Sequence, residues 1–78
     1  MKKKYQFIIE GTGANGQTWT ATGNIECEFN EVFDLAMRDA FMQLTSGKAV
    51  YGKPGVGCNG PYDVTSVVIK QTERARDV

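Results

Sequence analysis

The chain has 78 residues, 41% of them hydrophobic and 23% charged, a size and mix that fit one globular domain with a short tail. Nine basic residues balance nine acidic ones, so the basic excess of a dedicated nucleic-acid binder is missing. There is no histidine, which removes the commonest general base and the commonest metal ligand together, and no apolar run nears the roughly 20 residues that cross a bilayer.

The opening segment is basic through Lys2, Lys3 and Lys4 and only briefly apolar, unlike a secretory signal. Cys27 and Cys58 are too few for the disulfide framework of a small secreted chain, and they lack C-x-x-C spacing. A reduced, cytoplasmic chain is the expectation, with a Cys27–Cys58 bridge disfavoured and no cofactor or metal implied.

Tyr5 to Glu10 alternates as a strand, with Tyr5, Phe7 and Ile9 on one side. Asn15-Gly16 then marks a turn, because both residue types tolerate positive φ. From Gln17 to Phe29 the alternation resumes, placing Trp19, Ala21, Ile25, Cys27 and Phe29 on one face, with Gly23 as a candidate bend or bulge. Asn30 is a suitable N-cap for a helix that Glu31 and Asp34 begin with favourable negative charge. Phe33, Ala36, Met37, Ala40, Phe41 and Leu44 share its core stripe, and Ser46-Gly47 stops it. Residues 47–61 hold five glycines and two prolines and read as a loop, with a short ordered piece at Ala49-Val50-Tyr51. Tyr62 to Thr72 is a β-branched strand, and residues 73–78 read as a charged, flexible tail.

The order ββαβ predicts a single α+β domain over residues 1–72. A right-handed crossover lays the third strand beside the first, giving a three-stranded antiparallel sheet of order 2-1-3 with the helix packed on one face. The other face is bare, showing Gln6, Ile8, Thr18, Thr20, Thr22, Val64 and Val68. A chain this small gains by covering such a face, which leaves room for a homodimer through the open face or an edge strand.

Gly55 to Gly60 matches G-x-G-x-x-G, but a dinucleotide fingerprint must follow a strand and open a helix, and this one leads into a strand. Its structural reading is a tight connection, and its functional reading is a contact loop working through Lys48, Tyr51, Lys53 and Asn59. Glu26, Glu28, Glu31, Asp34 and Asp39, relieved by Arg38, read either as solvated charge or as an acidic patch for a basic partner surface. Leu35 and Met42 lie off the core stripe at i and i+7, the spacing by which a helix docks to a second helix. Lys2, Lys3, Lys4, Lys70, Arg74 and Arg76 gather at strand ends that antiparallel pairing unites, predicting a basic end opposite much of the acidic charge. No activated nucleophile or base stands out, so no enzyme is expected.

In size, ββαβ order and acidic helix start, the chain resembles the small proteins that phages and mobile elements encode, including anti-CRISPR proteins. The resemblance implies a single-domain protein that occupies a host protein's surface without turnover. The expected role is a non-catalytic protein-interaction module, with Glu26, Glu28, Glu31, Asp34, Leu35, Arg38 and Met42 as the main contact surface. The alternatives are a nucleic-acid-binding module using the basic end and a structural or assembly subunit.

Overall fold

The computed structural model describes residues 2–72, so the expected tail and Arg74 and Arg76 lie outside the described residues. The elements are β1 (Lys3–Thr12), β2 (Thr18–Cys27), a 3-10 turn (Phe29–Glu31), α1 (Val32–Ser46), β3 (Val50–Tyr51) and β4 (Asp63–Gln71). All strand pairs are antiparallel, and the sheet order is β3-β2-β1-β4. The expected β2-β1-β4 arrangement is present, but the sheet has four strands, not three. The addition is β3, which pairs Tyr51 with Trp19 and Val50 with Thr20 on the outer edge of β2.

β1 and β2 pair without interruption from Lys3↔Cys27 to Thr12↔Thr18. Gly23 therefore makes no bulge. Its missing side chain leaves space for the Phe7 ring and the Asp39 carboxylate above it. The turn runs through Gly13–Gly16, closed by the Gly16 N–H donating to the Gly13 carbonyl at 3.0 Å. Only Gly16 takes positive φ there (82°), so Asn15 serves through its side chain instead.

Tyr5, Phe7, Ile9, Trp19, Ala21 and Cys27 are buried on the helix side of the sheet, with Ile25, Val67 and Ile69 partly buried beside them. The helix begins after the 3-10 turn, with Glu31 and not Asn30 at its N-cap position, and no side chain caps it. At the other end Gly47 adopts the left-handed conformation (φ 79°) that its lack of a Cβ allows, and its N–H reaches the Gln43 and Leu44 carbonyls. The buried seam of α1 is Val32, Ala36, Ala40 and Leu44. Phe33 and Phe41, expected in the core, are 58% and 57% exposed. Two alanines at the centre of the seam let the helix sit low over β2, where Ala21 and Gly23 are also small, and the large rings then have no depth to enter.

The last strand changes phase part-way. Glu10 opposes Ser66 but Gly11 opposes Val64, so Thr65 is the extra residue of a bulge. Val64 consequently faces the helix side, not the bare face where strict alternation put it. Gln6, Ile8, Thr20, Thr22 and Val68 do share the uncovered face.

Candidate functional site

α1 lies over β2, touches β1 less and makes little contact with β4. The offset has a chemical origin in the alanine seam and in a side-chain tie, since Gln43 donates from Nε2 to the Thr22 carbonyl at 2.9 Å. Between the helix and β4 an apolar trough stays open. At one end a cleft of about 570 Å³ is lined by Trp19, Met37, Ala40, Phe41, Leu44, Pro61, Tyr62 and Val64. At the other a hollow of about 530 Å³ is lined by Tyr5, Phe29, Val32, Phe33 and Ile69 together with Asn30 and Gln71. Phe29, Phe33, Met37 and Phe41 recur every four residues along one wall, and the Phe41 ring meets Tyr62 edge-on with centroids 6.5 Å apart. Phe29 is 76% exposed in the 3-10 turn, since β2 ends at Cys27 before reaching it.

Leu35 and Met42 occupy the other flank of α1, since each residue advances about 100° around a helix and both lie roughly opposite Phe33. Met42 is 65% exposed and Leu35 37%. The helix thus carries large apolar side chains to both sides of its narrow seam. Asp34 and Arg38 sit on its solvent crest, 3.8 Å apart and well exposed.

The acidic residues do not form one patch. Glu26 lies on the bare sheet face directly across from Lys4, whereas Asp34 accompanies Arg38 on the helix and Asp39 turns toward Gly23. Lys3 and Lys4 pair with Cys27 and Glu26, so the basic strand end and the start of the acidic run adjoin at one end of the sheet. Glu28 is half-buried, and Glu31 is exposed at the helix start.

Nor is the glycine-rich segment a free contact loop. Gln17, buried, donates from Nε2 to the carbonyls of Lys53 (2.9 Å) and Val56 (2.6 Å), while its Oε1 accepts from the N–H groups of Lys53 and Thr18. Asn15 donates to the Gly57 carbonyl at 2.9 Å, and Ala14 N–H donates to that of Asn59. A phosphate cradle needs free N–H donors, and those of Lys53 and Asn59 already donate to Gln17 and Asn15, and that of Val56 to the Lys53 carbonyl. Tyr51 is half-buried in β3 and packs against the core, leaving Lys48, Lys53 and Asn59 as exposed side chains. Gln17 and Phe29 are the residues that the sequence reading misses. A polar side chain in the inward phase beside Trp19 was the available signal for Gln17.

Cys27 and Cys58 are unpaired. Burial at the end of β2 pushes the Cys27 thiol up from its ordinary value, with the Glu31 and Glu28 carboxylates adding to the effect. Such a thiol is a structural hydrophobe and not a nucleophile. Among the described residues, no group of three or more Cys, Asp or Glu side chains is placed to hold a metal ion, and no helix is long and apolar enough to cross a membrane. Compared with known proteins, the chain matches no protein family, no curated protein and no solved structure.

Proposed function

We propose that this chain is a small protein-interaction module that acts stoichiometrically and without catalysis, of the kind a phage or mobile element directs at a host protein. One observation carries the reading. A helix of 15 residues seats itself through two alanines while presenting Phe33 and Phe41 on one flank and Leu35 and Met42 on the other. Single exposed apolar residues are ordinary, but rows of them on both sides of one helix exceed what this fold needs for its own core. Leu35 and Met42, bordered by Asp34, Arg38 and Glu31, form the flank for a foreign partner, where the charges choose the partner and the two apolar side chains supply burial.

The test is affinity capture from the source cell, followed by reconstitution of the complex from purified components. The reading expects a one-to-one complex that Leu35→Asp with Met42→Asp abolishes while the circular dichroism spectrum stays unchanged. Nucleic acid binding that weakens steeply with added salt, with no protein partner, would overturn it in favour of the basic end. A complex indifferent to the double substitution would move the contact away from this flank.

A further inference from the structure

We infer that β4 pairs with β4 of a second copy of this chain about a two-fold axis through Val67, merging the two sheets edge to edge and the two troughs into one groove. β4 has β1 on one side and, among the described residues, no strand on the other. Thr72 N–H donates to the Lys4 carbonyl at 2.9 Å, and Ala14 N–H to that of Asn59, so the even-numbered positions along β1 bond toward the β4 side. The alternation of an antiparallel ladder then turns the amides and carbonyls of Val67 and Ile69 to the free edge. The bulge at Thr65 restores the same outward direction at Val64.

With Val67 on the axis and Thr65 as the extra residue in each copy, the rest of the register follows. Val64 faces Ile69 of the second copy, Ser66 faces Val68, and Asp63 faces Lys70. Each opposed pair shares a face. Val64, Val67 and Ile69 lie on the trough side, and Asp63, Ser66, Val68 and Lys70 on the bare side. The Asp63–Lys70 pairing occurs twice by symmetry, so opposite charges meet at both ends of the joint. An axis through Val68 would also keep the faces in phase, but it sets Lys70 opposite Ser66 and takes Asp63 away from any lysine of β4. Lysines and bulges usually guard a strand edge against pairing. Here both fall into register with a second copy.

A two-fold perpendicular to the sheet places both helices on one face with their β4 flanks toward each other. Phe33 and Phe41 of the two copies then wall a groove floored by Val64, Val67 and Ile69 from both. The flanks bearing Leu35 and Met42 point away, so this dimer stands apart from the foreign contact proposed above.

The experiment is solution mass by light scattering across a dilution series, with a charge-reversal cycle. The wild type is expected at twice the chain mass at about 100 µM. Asp63→Lys and Lys70→Asp each weaken the dimer about tenfold or more, and the two together restore it to within about threefold. Val67→Pro removes an amide that faces the free edge and no ladder bond to β1, and it yields a monomer that keeps its circular dichroism spectrum even though the partly buried Val67 side chain is shortened. A wild-type monomer at that concentration overturns the proposal, as does a dimer that survives Val67→Pro or charge reversals whose effects add instead of cancelling. Leu35→Asp with Met42→Asp leaves the mass unchanged, so loss of a foreign partner and loss of the dimer are read separately.

Discussion

The loop over the hairpin end and the trough beside β4 invert the usual relation between regularity and closure. Residues 52–62 lie outside helix and strand, yet Gln17 and Asn15 bind them down through four backbone carbonyl and amide groups of Lys53, Val56 and Gly57. The trough is bounded by α1 and β4, regular elements of 15 and 9 residues, and is where the large side chains of Phe29, Phe33 and Phe41 meet solvent. Irregular backbone must find partners for its polar groups and so is driven to close. Regular backbone satisfies itself, and only packing decides whether its side chains are covered.

The largest expected effect tests the closed region. Gln17→Ala removes a buried amide that serves donors and acceptors on both sides, leaving the Lys53 and Val56 groups to find water. A loss of about 2–3 kcal/mol is expected, read as a lower urea midpoint, with faster amide exchange at Lys53 and Gly57. A loss under about 0.5 kcal/mol would mean that the loop is held without it.

The open region should invert the ordinary ranking of helix substitutions. Ala36→Leu and Ala40→Leu overfill the seam against Ala21 and are expected to cost about 1–3 kcal/mol. Phe33→Ala and Phe41→Ala, though they delete whole rings, are expected to cost under about 1 kcal/mol, with Phe41 the dearer because its ring touches Tyr62. If Phe41→Ala costs as much as a core aromatic, the trough is closed and the docking argument falls with it.

That ranking also separates what the sequence makes legible from what it does not. The ββαβ order, the hairpin and the Gly47 stop follow from local patterns that each element carries within itself, and the placement of β4 beside β1 follows from the hand of the crossover. Counting apolar residues along the helix weights Phe33 and Phe41 above Ala36. Burial depends instead on which residues are short enough to let two backbones approach, and Gly23 and Ala21 across the gap are not visible from the helix alone. Strict alternation sends Val64 to the bare face because a bulge is a property of the pairs Glu10–Ser66 and Gly11–Val64, not of β4 alone. Among the candidate contact residues, Leu35 and Met42 keep their exposed flank. Glu26 was separated from Asp34 by the strand's own alternation, and Tyr51 was drawn inward by pairing with Trp19.

A smaller effect separates the two thiols, one at each end of the sheet. Cys58 is half-exposed, and Cys27 is buried with its ionisation disfavoured. An aromatic disulfide reagent near pH 8 should modify Cys58 first and Cys27 at least about tenfold more slowly, the gap closing in denaturant. The folded chain holds the Cys27 proton more firmly than the unfolded chain. Its contribution to stability is therefore fully kept below the unfolded thiol pKa and lost as pH rises through the folded one. Cys27→Ala should flatten that alkaline decline, and a decline of equal depth in the variant would assign it to other groups.

The smallest effect concerns the crest of α1, which belongs to neither region. Asp34 lies in the first turn, where the helix dipole favours a negative charge, and it also faces Arg38 across 3.8 Å of exposed surface. Arg38 is mid-helix and, among the described residues, has only the pair. Arg38→Ala should therefore change stability by less than about 0.5 kcal/mol, and Asp34→Ala by slightly more, since it forfeits both interactions. Added salt should erase most of the pair's share. A double-mutant cycle that finds strong coupling between the two would show that the crest is less solvated than its exposure indicates. The partner-binding phenotype of Arg38 variants would then no longer be separable from a change in the helix itself.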